Sequence, residues 1–226
     1  MTNTLLLFLK SVVIIKMNDS SNGIWLKILD MIEKSSKSIE VYTDETDIEN
    51  DILKSMEISP DSVLGTVVSN TSGIMIDNTI RILGKKSIER RDILSYNRNK
   101  LDGLIIVADD IFGGIFAVNI GNYSVSWGIG EICYFAPDTL EWDNLEFKYS
   151  YFLTWCISGD TDKFYESFRW KSFSQDCKKV GFDEGILIYP FLWSKEIDIE
   201  TADKKAVPID ELFNINMDFR EKFKNG

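Results

Sequence analysis

The chain has 226 residues, 44% of them hydrophobic, and a formal net charge of −11. This length and composition suit one globular domain, or a domain with a tail, and do not resemble a disordered chain. An acidic protein is repelled by phosphate backbones and anionic lipid headgroups, so nucleic acid and membrane surfaces are not expected as partners. A basic protein partner fits the charge, although the charge can also serve only to keep the protein in solution.

The chain contains no histidine. Ser-His-Asp and Cys-His mechanisms within the chain are therefore excluded, as are zinc sites that use histidine. Carboxylate, lysine, tyrosine or thiolate chemistry remains, as does Mg²⁺ or Ca²⁺ held by carboxylates. The three cysteines, Cys133, Cys156 and Cys177, form no CxxC pair. An odd number of cysteines without an export signal predicts a cytoplasmic protein.

The first residues contain two apolar runs, Leu5 to Leu9 and Val12 to Ile15. They are too short to span a bilayer and lack the basic segment and cleavage site of a secretory signal. Since Met17 follows directly and the amphipathic pattern begins only after it, we expect translation to start at Met17 and residues 1–16 to be an extension. An additional edge strand is the alternative.

The first half of the chain alternates helical patterns with short strand patterns joined by tight turns, which indicate antiparallel pairing. In chain order the patterns predict a helix over 23–35, a strand at 39–42, a helix with the capping box of Thr46 and Glu49, a helix start at Pro60, and strands at 66–68, 74–76 and 79–83.

The stretch from Leu101 to Asp143 carries the strongest strand signals. Three apolar runs rich in β-branched or aromatic residues lie at 104–108, 115–119 and 131–135, and Gly, Asn, Asp or Pro separates them. The turns that join them carry the polar groups of this stretch.

Helical spacing dominates after residue 150, and Pro190 should place the last strand at a sheet edge or end it. The patterns predict helices over 151–158 and 161–170, a short helix that ends at Gly181, a strand over 185–193, a loop over 194–206, and two short helices at 208–213 and 217–223. We therefore expect a domain over 17–193 and a C-terminal loop with short helices over 194–226.

This order, with strands grouped before helices, predicts an α+β fold rather than a doubly wound sheet. We expect a single domain with a central, mainly antiparallel sheet of about five to six strands and helices packed on one face.

Acidic residues end two of the central strands. Asp109 and Asp110 follow the first of them, while Asp138 and Glu141 follow the third. If the strands pair as antiparallel neighbours, both acidic turns lie at the same end of the sheet. They can form a surface for a basic partner, hold a cation or act as an acid/base pair. The alternative is that these residues only form turns by bonding their own backbone.

Gly113-Gly114 allows close approach of a ligand or of a second backbone. It does not match a dinucleotide-binding fingerprint, because there is no G-x-G-x-x-G and no helical pattern follows. A bulge or sharp turn is the alternative. The aromatic residues Phe112 and Trp142 flank these turns and can belong to the core or anchor an interface.

Several segments resemble an uncharacterised bacterial family known as domain of unknown function 2625. They are LGTVVSNTSGIMIDNTIRILG (64–84), VADDIFGGIFAVN (107–119), GEICYFAPDTLEWDNLEFKYSYFLTWCISGD (130–160), FYESFRW (164–170) and YPFLW (189–193). The resemblance covers most of residues 24–193. Ser72 stands where the family pattern has a second glycine before Gly73, a departure that leaves the turn possible. The resemblance implies no activity.

The order of elements also resembles, more distantly, the SUKH superfamily of Smi1/Knr4-like immunity proteins. An N-terminal helix, a Gly-containing turn and a Gly-Gly strand precede the G-x-[IV]-x-[YF] strand that begins at Gly130 and the aromatic helix at 149–153. These proteins are α+β cytosolic modules, and many neutralise bacterial toxins by binding them. The resemblance implies a toxin as the partner.

The sequence thus predicts a non-enzymatic, cytoplasmic protein-binding module, of the immunity type, whose partner is a basic protein such as a toxin. It predicts no cofactor and no metal. The alternatives are a carboxylate- or metal-dependent hydrolase that uses the acidic turns, and a sensor with a small-ligand pocket near the Gly-Gly turn. The predicted partner-binding residues are Asp109, Asp110, Phe112, Gly113, Gly114, Asp138, Glu141 and Trp142.

Overall fold

The computed structural model describes residues 19–44, 52–98, 101–121, 123–124 and 126–224. The predicted extension over residues 1–16 and the capping box of Thr46 lie outside this part. The helices are α1 (Asp19–Lys34), α2 (Ile52–Ser55), α3 (Val63–Asn70), α4 (Ile93–Asn97), α5 (Tyr149–Ser158), α6 (Thr161–Phe164), α7 (Phe173–Cys177) and α8 (Ile209–Lys224), with a 3₁₀ turn at Glu166–Phe168. The strands are β1 (Ile39–Tyr42), β2 (Gly73–Ile76), β3 (Ile80–Leu83), β4 (Leu104–Asp110), β5 (Ile115–Asn119), β6 (Glu131–Ala136), β7 (Glu141–Lys148), β8 (Glu184–Tyr189) and β9 (Asp203–Pro208).

The first seven strands form one antiparallel sheet in the order β1 to β7, so each strand pairs with its neighbours in the sequence. The sheet has more strands than the five to six predicted. The sequence patterns do not predict strand β7, because it is an edge strand in which exposed acidic residues interrupt the apolar pattern. These residues are Glu141, Asp143 and Glu146. Charged residues on an edge strand discourage pairing with another chain.

The central strands β4, β5 and β6 are almost completely buried. Successive side chains of a strand point to opposite faces of the sheet. Phe116 of β5 contacts Tyr134 of β6 and Phe152 of α5 on one face. Phe135 of β6 contacts Trp142 of β7 on the other. That the helices pack on one face stays a prediction.

The strand predicted at 66–68 is wrong, because these residues belong to α3. The Ser62 hydroxyl caps this helix by accepting a hydrogen bond from the Gly65 N–H at 2.9 Å. A Cβ on Gly65 would lie 2.1 Å from the Ser59 carbonyl oxygen, so the helix packs closely on the preceding turn. Cap and packing together override the β propensity of Thr66, Val67 and Val68.

The C-terminal part contains more regular secondary structure than the patterns predict. Strand β8 ends at Tyr189, directly before Pro190, in agreement with the expected break. Residues 203–206, predicted as loop, belong to β9, which pairs with β8 in a separate two-stranded sheet. The Ile186 N–H donates to the Ile111 carbonyl at 2.7 Å and so ties β8 to the turn that follows β4.

The last helix, α8, is continuous, whereas two short helices were predicted. The polar residues between the two apolar runs include Asn216, which is 4% exposed and faces the interior. The chain thus folds as a mixed α/β domain. No helix in the described ranges has the length and apolar character needed to cross a membrane.

Candidate functional site

The strand register places the two predicted acidic turns at the same end of the sheet. Ile115 at the start of β5 pairs with Phe135 near the end of β6, and Ala136 pairs with Glu141. The turn after Asp110 and the turn containing Asp138 therefore share one end, as the strand order predicts.

The Asp109 carboxylate lies inside the protein, where it is bound by two arginines. Its Oδ1 atom accepts from Nε of Arg81 at 2.8 Å, and Oδ2 accepts from Nη2 of Arg91. The side chains of Asp109 and Arg81 are both 0% exposed. Arg91 Nη1 also pairs with Asp183 Oδ1 at 2.8 Å. The group ties β3, β4 and the segment before β8 together, and removal of one partner would leave a buried charge unpaired.

The Asp110 carboxyl group is also fully buried, and it organises the turn that follows it. Its Oδ1 atom accepts from the N–H groups of Phe112 and Gly114, both at 2.9 Å. Its Oδ2 atom accepts from the hydroxyls of Tyr134 at 2.8 Å and Tyr165 at 3.1 Å. Burial raises the pKa of Asp110, and these hydrogen bonds oppose the shift only in part. Burial likewise raises the pKa of Tyr134 and Tyr165 well above the usual tyrosine range.

The Gly113-Gly114 pair is packed against the protein itself. Gly113 has φ +86°, and a Cβ there would lie 2.8 Å from Cγ of Leu212 on α8. A Cβ on Gly114 would lie 2.2 Å from Oδ2 of Asp110 and 2.3 Å from the Tyr134 hydroxyl. The close neighbours of the pair are side chains, those of helix α8 at Gly113 and those of Asp110 and Tyr134 at Gly114, and the pair forms a sharp turn.

The aromatic residues of the predicted site are buried as well. The Phe112 ring contacts the rings of Tyr165, Phe168 and Phe173. Trp142 is 7% exposed and contacts Phe135.

Only part of the predicted partner-binding surface at these turns is therefore exposed to solvent. Asp138 is half-buried and Glu141 is exposed. Asp109 and Asp110, in contrast, have no exposed surface. A partner docking on the folded surface cannot reach those two carboxylates, because their charge is used to fix strands and turns.

The structure adds a surface that the patterns did not indicate. It is formed by the described residues 120–121, 123–124 and 126–130 between β5 and β6, here named the aromatic loop. Ile120 is 48% exposed and Ile129 is 70% exposed, while Tyr123 and Trp127 are half-buried. The only sequence signal is a set of isolated apolar residues among Gly, Ser and Asn. Without periodicity such a set predicts no element.

Hydrogen bonds and ring contacts hold the aromatic loop against the rest of the domain. The buried Asn119 side chain donates to the carbonyls of Trp127 at 3.1 Å and Gly128 at 3.2 Å. The Tyr123 ring contacts the rings of Trp127 and Trp142. Trp142 is therefore buried next to this loop and supports the Tyr123 ring.

One arginine links the aromatic loop to the acidic end of β7. Arg220 Nη2 lies 3.5 Å from the Tyr123 hydroxyl and 3.7 Å from Oε2 of Glu141. Glu131 Oε2, at the end of the loop, accepts from the Gly128 N–H at 2.8 Å and from Asn144 Nδ2 at 2.7 Å. Both hydrogen bonds hold the pKa of Glu131 below its usual value. Tyr123 of the loop is thus linked to Glu141 of β7 through Arg220, and Glu131 is linked to β7 through Asn144.

The described residues include no group of three or more Cys, Asp or Glu placed to hold a metal ion. The cavity beside the Gly-Gly turn, lined by Phe112, Leu212 and Asn216, has a volume of about 10 Å³. This is room for one water molecule, whereas small-molecule sites measure roughly 300–1,000 Å³.

The comparisons with known proteins define the family. Residues 14–212 match the family model described as "Protein of unknown function DUF2625", and the chain belongs to that family. It is 31% identical to the "Putative uncharacterized protein YbfG" of Escherichia coli strain K12, over 91% of this chain and 95% of that protein. It is 29% identical to an "Uncharacterized protein" of Haemophilus influenzae, over 92% of this chain and 95% of that protein. No solved structure matches.

Proposed function

We propose that this protein is a non-enzymatic protein-binding module that uses the aromatic loop and the exposed acidic residues of β7 to bind a basic partner. The observation that carries the proposal is an exposed apolar loop placed directly beside carboxylates at the sheet edge. Of the two acidic turns, only the one between β6 and β7 supplies exposed carboxylates, through Asp138 and Glu141, while Asp109 and Asp110 serve the fold.

The aromatic loop has the composition of an interface centre. Isolated apolar residues on a surface are ordinary, but a cluster rimmed by polar groups marks an interaction site. Tyrosine and tryptophan contribute most of the binding energy in many interfaces. Tyr123 and Trp127 are half-exposed, and the contact of Tyr123 with Trp142 fixes one ring before binding. A ring that is already fixed loses less entropy when a partner binds.

The charges beside the loop select the kind of partner. Glu141, Asp143 and Glu146 are exposed along β7, and the whole chain carries −11. Complementary charge increases the rate of association with a basic protein and disfavours acidic ones. The distant resemblance to the SUKH superfamily supports a finer proposal, in which the partner is a basic toxin, such as a nuclease, neutralised in the cytoplasm.

Photo-crosslinking from defined positions tests the proposal. A benzophenone amino acid replaces Ile129 in the aromatic loop or, as the matched control, Ile88, which is 79% exposed. After irradiation in the native host, position 129 should give one crosslinked protein with a net positive charge, and position 88 should not. Equal crosslinking from both positions, or a partner with no basic surface, contradicts the proposal.

The purified partner then allows the energy to be measured. Trp127→Ala should weaken binding by at least tenfold, which is about 1.4 kcal/mol, while Ile88→Ser should leave the affinity unchanged. Glu141→Lys should slow association and reduce its dependence on salt. Circular dichroism of each variant shows whether the fold is retained.

A further inference from the structure

A polar cleft at the surface lies outside every site considered so far. Its volume is about 560 Å³, within the range of small-molecule sites. Its walls come from residues 36–38, the turn at 77–79, the segment 159–162 and residues of the 169–178 region. Phe173 is the one aromatic residue among the lining residues, so the cleft suits a small hydrophilic ligand.

Lys37 in the wall of this cleft has an unusual environment. Its Nζ atom donates to the Cys156 carbonyl and to the Thr161 hydroxyl, both at 2.8 Å. Both acceptors are uncharged, and Lys37 makes no ion pair with any carboxylate in the described segments. By contrast, Lys34 pairs with Asp30 at 2.7 Å.

This arrangement suits a neutral amine. A neutral amine has two N–H groups, which the two acceptors satisfy, and one lone pair that stays available. Burial lowers the pKa of Lys37, and the charges of Asp77, Asp160 and Asp162 oppose the shift only in part. Lysines desolvated in this way act as nucleophiles toward carbonyl groups.

The acidic side chains that line the cleft already have partners within the protein, whereas one lysine that lines it has none among the described residues. Asp77 accepts from the Ser38 N–H, Asp160 caps α6, and Asp162 pairs with Arg169. Lys178 is exposed and has no ion-pair partner in the described part of the chain. It is therefore free to meet an acid group on a ligand.

We propose that the polar cleft binds a small carbonyl acid, of the glyoxylate or 2-oxo acid class, as a reversible imine on Lys37 with its carboxylate toward Lys178. The amine nitrogen attacks the carbonyl carbon and a C–N bond forms. The carbonyl oxygen leaves as water with the two protons of the amine.

Reductive trapping tests the proposal. The folded protein is treated at pH 7 with limiting glyoxylate and cyanoborohydride, whose hydride reduces the imine to a stable amine, and peptide mass spectrometry measures the label at each lysine. Lys37 should carry several-fold more label than Lys27, which is exposed on α1. In urea the ratio should fall to about one, because the effect depends on the fold.

Two variants separate the chemistry from the fold. Lys37→Gln should abolish the preferential label. Lys178→Gln should lower labelling of Lys37 by glyoxylate but not by the uncharged glycolaldehyde. A Lys37 label no greater than that of Lys27 in the folded wild type overturns the proposal, whether or not Lys37→Gln folds. Equal effects of Lys178→Gln on both probes overturn the assignment of the acid group.

Discussion

Replacing Gly113 by alanine tests whether side chains of helix α8 pack closely against the turn after β4. The change has two costs. First, φ is +86°, and the left-handed region costs an alanine about 1–2 kcal/mol. Second, the new Cβ lies 2.8 Å from Cγ of Leu212, and overpacking of this kind costs about 1–3 kcal/mol. Alanine also lowers the conformational entropy of the unfolded chain, and this stabilises the folded state by about 0.4–1 kcal/mol. We expect Gly113→Ala to lower the free energy of unfolding by about 1–4.6 kcal/mol, with a middle value of about 3 kcal/mol.

Gly130 provides the matched control for the backbone cost. Its φ is +82°, but a Cβ there would meet no atom within 4 Å. Gly130→Ala should therefore lose only about 1 kcal/mol. Guanidinium denaturation of both variants, at an unchanged m value, gives the difference.

A second substitution identifies the neighbour responsible. Leu212→Ala removes the two nearest atoms that the new Cβ meets and leaves only Asn216 Nδ2. The double variant Gly113→Ala/Leu212→Ala should therefore be more stable than the sum of the single effects by about 1 kcal/mol or more. If Gly113→Ala and Gly130→Ala lose the same stability, α8 does not press against the turn at Gly113.

The remaining predictions concern buried groups. Asp109→Asn should cost about 3–5 kcal/mol, because it leaves the fully buried Arg81 without its charge partner; denaturation curves check this, and a loss below about 1 kcal/mol would contradict it. Asp110→Asn should cost less, since the amide oxygen keeps the two backbone hydrogen bonds of this carboxyl group and only the bonds from the two tyrosine hydroxyls lose their acceptor. Because burial raises the pKa of Asp110, the folded state keeps a proton that the unfolded chain releases above about pH 4. The contribution of this carboxyl group is therefore full below that pH and falls as the pH rises through the folded-state pKa. The stability of wild type relative to Asp110→Asn should decrease over that range, and a relative stability that rises with pH would show the opposite shift. The three cysteines are free and buried, and burial raises the pKa of Cys133 to about 11 and that of Cys177 to about 12. A disulfide reagent at pH 8 should react with none of the three until the protein is unfolded, and one fast-reacting thiol in the native protein would contradict their placement.

The sequence predicts the central strands correctly because they are buried on both faces. Continuous apolar runs such as Leu104 to Ala108 are typical of strands that are covered on both faces of the sheet. The local pattern is therefore enough to predict these strands. The same reasoning correctly gives antiparallel pairing, since the turns between these strands are too short for a crossover. Strand β7 was missed because an exposed edge carries polar residues at many positions.

The roles of the acidic residues were beyond the reach of the sequence. Asp109 and Asp110 are neighbours in the chain, yet one binds two arginines and the other binds two tyrosine hydroxyls and two backbone N–H groups. Their partners come from positions as distant as Arg81 and Tyr165. An aspartate at the end of a strand has the same local pattern whether it faces water or the interior, and only the packing of distant elements decides between the two.

By itself, the sequence determined the class of fold, the antiparallel order of the central strands, the acidic character of the surface and the exclusion of histidine chemistry. These properties follow from composition and from short-range periodicity, which each segment carries with it. Only the tertiary structure decided which polar residues are buried, that α8 packs on the Gly-Gly turn, and that the aromatic loop and the cleft at Lys37 exist. Each of these depends on contacts between residues far apart in the chain, and no local pattern encodes such contacts.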